Sequence, residues 1–168
     1  MTLLDAPEFD EVRARRLRVI LLSVVGMLLV LLISFWLAAG RPVDWPWTWN
    51  NHLRGRLTVN HFLKAVEKND LATAYGVWID DRNWQKNPGL KRPYSFERFQ
   101  DDWSSLSPDN EYGAIQSHKI VVATMHGNVL LVAVLINGRK SKALDLAYDP
   151  KLHTLSFSPP DVEIYLGP

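Results

Sequence analysis

Between Arg18 and Arg41 the chain carries an uninterrupted uncharged stretch, Val19 to Gly40, reading VILLSVVGMLLVLLISFWLAAG. At about 1.5 Å per residue this makes a helix of roughly 33 Å, enough to cross a hydrocarbon layer of about 30 Å. The stretch is apolar around its whole circumference, so a water-facing surface helix is excluded and a membrane span is predicted.

Charges flanking the span set its expected direction, because Lys and Arg beside a span are retained on the cytoplasmic side. Arg13, Arg15, Arg16 and Arg18 crowd the residues before it, whereas Arg41 and Asp44 cancel after it. The N-terminus is therefore expected inside. Trp36 near the end of the span, and Trp45, Trp47 and Trp49 at alternate positions beyond it, suit amphipathic rings resting at headgroup depth. Ala38-Ala39-Gly40 also resembles a signal-peptidase site. The run, however, exceeds the usual apolar core of a signal peptide, about 7 to 15 residues, and a long charged segment precedes it, so a retained signal-anchor is expected. Thr2 replaces the glycine that myristoylation needs, and no cysteine is present to carry a lipid.

Of 19 basic and 18 acidic residues, four of each precede the span, leaving 15 and 14 beyond it. Such a balance carries no nucleic-acid footprint. The lack of cysteine excludes disulfides, thiolate metal sites and cysteine nucleophiles. The predicted organisation is a cytoplasmic tail (1–18), the span (19–40), a Trp/Pro-rich juxtamembrane linker (41–56) and one extracytoplasmic domain (57–168).

That domain opens with helical spacing: Val59, Phe62, Leu63 and Val66, then Leu71, Ala74, Tyr75 and Trp78, with Asn69-Asp70 to end one helix and cap the next. Residues 80–93 read as a loop with only Trp84 and Leu90 as large apolar residues. Phe96, Phe99, Trp103 and Leu106 fit a third helix, with Ser95 as its N-cap and Pro108 as its stop. After Gly113 the pattern changes to β-branched runs: 114–124, 129–137, 142–148 and 154–158, separated by turn residues. The wholly apolar 129–136 suits a central strand covered on both faces. The expected fold class is α+β, three helices packed on a four-stranded antiparallel meander.

The stretches HFLKAVEKNDLATAYGVW, SFERFQDDW and TLSFSP resemble the nuclear transport factor 2-like (cystatin-like α+β) superfamily, over about Leu57 to Pro160. The resemblance implies a cone-shaped fold with a curved sheet. Its members include ketosteroid isomerases, limonene epoxide hydrolases, ligand-binding modules and the membrane-anchored inner-membrane component of type IV secretion systems. The last group shares the order of tail, span and module. A fold of this kind does not choose among these functions.

The residues offer no catalytic constellation. Asp101 and Asp102 lie on the third helix, where one at most faces inward, and Asp145 stands on a strand pointing opposite to Leu144 and Leu146. His52, His61, His118, His126 and His153 show neither helical pair spacing nor an H-E-x-x-H pattern, so no metal is expected. There is no nucleophile elbow, phosphate loop or dinucleotide fingerprint, and no cofactor is expected. Tyr75, Trp78, Phe99 and Trp103 fall on inward faces, where they either fill the interior or line a pocket for an apolar ligand.

The reading is thus a non-enzymatic envelope interaction or assembly domain, tethered to the bilayer and meeting a protein partner. The alternative is a tethered ligand-binding or isomerase/hydrolase-like domain. A filled interior favours the first, whereas an open cavity of roughly several hundred Å³ lined by Asp102 or Tyr75 favours the second.

Overall fold

The computed structural model describes residues 10–86, 92–139 and 142–159. It is α+β, with four α-helices and one four-stranded antiparallel sheet. The chain divides into an N-terminal unit ending at Ala38 and a globular unit beginning at Ala39.

The N-terminal unit is helix α1, Glu11–Ala38, none of whose residues is buried. Asp10 starts it by accepting a hydrogen bond from the backbone N–H of Arg13 at 3.0 Å. Among the described residues it is the one helix long and apolar enough to cross a membrane.

The globular unit contains α2 (Trp49–Glu67), α3 (Leu71–Trp78), α4 (Phe96–Trp103) and strands β1 (His118–His126), β2 (Val129–Ile136), β3 (Ala143–Tyr148) and β4 (Leu155–Phe157). The expected linker is shorter than its sequence suggested, because α2 begins at Trp49 rather than after Arg56. Trp49, His52 and Gly55 continue the buried stripe of Val59, Phe62, Leu63 and Val66 backward toward the N-terminus of the helix. Interleaved Asn50, Asn51, Arg54 and Arg56 disguise that stripe in the sequence. Gly55 is required by contact: a Cβ there would stand 2.4 Å from Leu130 Cδ2 and 2.9 Å from a Tyr148 ring carbon.

Local chemistry sets the other helix ends. Asn69 turns the chain at φ +54°, and the Asp70 carboxylate accepts from the backbone N–H of Thr73 at 3.0 Å to cap α3. Ser95 caps α4 through the N–H of Arg98 at 3.3 Å. The third helix stops at Trp103 rather than running toward Pro108. Ser104 is extended, and Leu106, expected on its apolar face, is 92% exposed. The loop after α3 holds a short 3₁₀ turn, Trp84–Lys86, and the Trp84 indole donates to the Ala72 carbonyl at 3.1 Å. Leu90 lies outside the described residues.

The sheet is a meander in the order β1-β2-β3-β4. Leu130, Val132, Val134 and Ile136 of β2 and Leu144, Leu146 and Tyr148 of β3 pack in the same core cluster as the helices. Leu131 and Ala133, on the alternate side of β2, are buried as well, as expected of a strand covered on both faces. The first strand starts later than its sequence pattern, at His118, and carries a bulge at Val121. With no disulfide, stability rests on packing, each large side chain in this core contributing roughly 1.5 to 3 kcal/mol.

Candidate functional site

The four aromatics singled out from the sequence lie together, and mostly against one another. Tyr75, Trp78, Phe99 and Trp103 are all buried. Phe62 stands at their centre, 4.8 Å from Trp103 and 5.2 Å from Trp78 between ring centroids. The Tyr75 hydroxyl donates to the Tyr94 carbonyl at 2.6 Å. Of the four, Trp103 reaches the wall of a cavity of about 470 Å³, a volume typical of small-ligand sites.

That cavity opens where the sheet runs short. Pro159 has no N–H to continue a ladder, so β4 pairs only with Leu146, Ala147 and Tyr148 of β3. One further hydrogen bond, Ser158 N–H to the Asp145 carbonyl at 3.1 Å, closes the register. The Ala143 carbonyl is met instead by the Tyr112 hydroxyl at 3.1 Å. The space left beside the start of β3 is walled by Asp102 and Trp103 of α4, by the loop bearing Asp109, Glu111 and Tyr112, and by Asp145, Phe157 and Ser158.

A buried asparagine folds that loop. The Asn110 amide donates to the carbonyls of Ser104 and Gly113, both at 3.0 Å, and its oxygen accepts from the N–H groups of Tyr112 and Gly113. Its full complement of bonds presents the neighbouring acids and Tyr112 to the cavity. Lys142 pairs with Glu111 and lies 5.3 Å from the Tyr112 ring centroid.

Asp102 accepts a hydrogen bond from the Tyr94 hydroxyl at 2.6 Å. Burial above all, reinforced by that carboxylate, holds the Tyr94 phenol far above its usual pKa. The Trp103 indole acts in the opposite direction on Tyr94, without reaching hydrogen-bond geometry. Across the cavity, burial raises the pKa of Asp145. Three buried side-chain polar atoms among the described residues lack a partner: Trp103 Nε1, Asp145 Oδ1 and Ser158 Oγ. All three belong to residues of this one wall. Buried polar groups are nearly always bonded, so three orphans in one wall set it apart from the rest of the described fold.

The histidines serve elsewhere. His52, 1% exposed, meets Asp44 Oδ2 at 2.7 Å, and His118 bridges Glu67 at 2.6 Å and Asn60 at 2.8 Å. His118 and His126 stand at opposite ends of β1 and do not converge. Among the described residues no group of three or more His, Asp or Glu side chains is arranged to hold a metal ion.

The residues expected at a membrane interface divide. Trp49 is buried, its indole donating to the Asp44 carbonyl at 3.0 Å, so it belongs to the globular core rather than to an aromatic belt. Trp45 and Trp47 are exposed and stacked, 5.0 Å between centroids. Arg13, Arg15, Arg16 and Arg18 occupy the first two turns of α1, and Trp36 its last.

Sequence reasoning missed Asp109, Glu111, Tyr112 and Ser158, and dismissed Asp145. A signal for Asp145 was nevertheless present: it is the single charge in the strand ALDLAY, followed fourteen residues later by a proline that curtails the neighbouring strand. Set against known proteins, the chain matches no family model, no curated protein and no solved structure.

Proposed function

We propose that this chain is a single-pass membrane protein whose globular unit binds a small molecule, with the N-terminus cytoplasmic and the binding unit at the outer face of a bacterial-type inner membrane. Support for the anchor comes from α1, 28 residues long and without a buried side chain. The arginines in its first turns favour the inward N-terminus, and the stacked, exposed Trp45 and Trp47 suit a headgroup layer just beyond it. The nuclear transport factor 2-like resemblance is the fold proposal that accompanies this reading, supported by the order of helices followed by an antiparallel meander.

The observation that carries the functional reading is the 470 Å³ cavity, lined by Asp102 and by three residues whose buried polar atoms are unpartnered. Its volume lies in the range of small-ligand sites, and carboxylates gathered on the wall of a concavity suit a small polar guest. The test is a thermal-shift screen of the full chain in lipid nanodiscs against small polar molecules, with protease protection in spheroplasts for topology. The reading expects at least one saturable stabiliser and a protease-accessible globular unit; no stabiliser, or protection of that unit, would overturn it.

An envelope interaction domain is the second reading. It is favoured by a separate apolar groove of about 560 Å³, where Trp78 and Tyr94 sit beside the exposed Leu152 and Phe157. Crosslinking in intact membranes distinguishes it, through a captured protein whose yield falls when Leu152 is changed to Asp.

A further inference from the structure

We propose that the outward face of α2 is a docking surface for a bilayer bearing anionic headgroups. This rests on the reading of α1 as a membrane anchor and names a surface through which the globular unit itself meets lipid.

Spacing is the first argument. Arg54, Leu57, His61, Lys64 and Lys68 fall alternately three and four residues apart, and all are exposed. That spacing gathers them on one stripe, opposite the buried Val59, Phe62, Leu63 and Val66. Continued toward the N-terminus, it passes through the exposed Asn50 to the exposed Trp47. Charge is the second argument. The stripe contains no acid, and among the described residues none of Arg54, Lys64 and Lys68 is in an ion pair. Glu67, the acid within α2, is turned to His118 at 2.6 Å, and Asp70 beyond the helix end caps α3. A face of one sign is drawn to an anionic surface, each Lys or Arg near it adding to the attraction.

The third argument favours lipid over an acidic protein. Trp47, at one end of the stripe, is 74% exposed and stacked on Trp45, and Leu57 stands 58% exposed between Arg54 and His61. Indole rings and an aliphatic side chain set among long cationic ones suit a headgroup layer, where the apolar parts enter and the charges stay at the phosphates. Residues 39–48 are the whole chain between α1 and α2, a reach of no more than about 40 Å when fully extended. A cavity of about 390 Å³ between α2 and α3 adjoins the stripe at His61, with Thr73, Arg82 and Gln85 in its wall and no acid among its described lining residues. It offers a headgroup phosphate charge-assisted hydrogen bonds.

The chain has no cysteine, so a bimane fluorophore on His61→Cys reports from this stripe alone. The experiment places the labelled full chain in nanodiscs of phosphatidylcholine, or of an equal mixture with phosphatidylglycerol, each holding a nitroxide-headgroup lipid as quencher. The expected result is quenching at least twofold stronger with phosphatidylglycerol, falling to the phosphatidylcholine level in high salt. The variant Arg54→Gln/Lys64→Gln/Lys68→Gln is expected to lose the same gain while near-ultraviolet circular dichroism shows the fold retained. A label on Leu106→Cys, in the exposed loop after α4, should be quenched alike in both lipids. Equal quenching of the His61 label in the two lipids, or a gain that survives in the triple variant, overturns the lipid surface. A matching gain at Leu106 overturns α2 as the docking face. A protein crosslinked through the His61 position, with no lipid-dependent quenching, assigns the stripe to an acidic partner instead. Failure of the chain to co-elute with the discs overturns the anchor and this surface with it, whereas co-elution without quenching overturns the surface alone.

Discussion

The hydroxyl of Tyr94 donates to Asp102 Oδ2 across 2.6 Å, tying the segment that enters α4 to its last turn and holding one carboxylate of the cavity in place. Hydrogen bonds to charged groups are worth about 1.5 to 3 kcal/mol. Tyr94→Phe is therefore expected to lower stability by about 2 kcal/mol, read as a lower urea midpoint at unchanged slope. A midpoint identical to the parent would show that Asp102 finds another donor.

Alkaline pH should unfold the globular unit through its tyrosines. Burial raises the phenols of Tyr75, Tyr94, Tyr112 and Tyr148 in the folded state. Groups with raised folded pKa values contribute stability that is present below the unfolded value, about 10, and lost as pH rises above it. Tyrosinate absorbance at 295 nm should then grow together with loss of near-ultraviolet circular dichroism. Ionisation of these residues near pH 10 with the dichroism intact would contradict the burial assigned to them.

Asp145 follows the same sign at lower pH. Burial raises its folded pKa, so its carboxylate weakens the fold as pH rises above the unfolded value near 3.9. Asp145→Asn is expected to stabilise the ligand-free protein at pH 7, an advantage that disappears by about pH 4. Thermal midpoints at the two pH values measure it. A variant less stable than its parent at pH 7 would mean that the charge is satisfied in the folded state.

Gly55→Ala opposes two effects. Alanine gains up to about 1 kcal/mol of helix propensity over glycine. Its Cβ, however, would stand 2.4 Å from Leu130 Cδ2 and 2.9 Å from Tyr148 Cδ1, and both neighbours are fully buried and unable to withdraw. Overpacking of this kind costs about 1 to 3 kcal/mol, so a net loss of up to roughly 2 kcal/mol is expected by urea titration.

If α1 spans the bilayer, Leu29→Arg places a charge near its middle at a cost of about 3 kcal/mol. The fraction resisting alkaline carbonate extraction should fall sharply, whereas Leu57→Arg, at an exposed position of α2, should leave it unchanged.

Much of this protein was legible in short stretches of sequence because the physics there is short-ranged. The apolar run from Val19 announces, by its length alone, a helix long enough to cross a membrane. Asp70 and Ser95 mark helix starts because a side-chain oxygen reaches an N–H three residues on, and the uninterrupted 129–136 announces a strand covered on both faces. Where polar residues interrupted a stripe, as around His52 and Gly55, the same reading began α2 too late, and it carried Trp49 into the membrane interface. Only tertiary structure decided the cavity. Asp102 and Asp145 stand far apart in the chain, and nothing local says that they share a wall. They do so because Pro159 ends β4 early, because Asn110 turns its loop toward β3, and because the helices pack over the sheet at that end. Sequence records which groups a chain can offer; long-range packing determines which of them lose water together, and that loss makes a carboxylate, an indole and a hydroxyl into a candidate site.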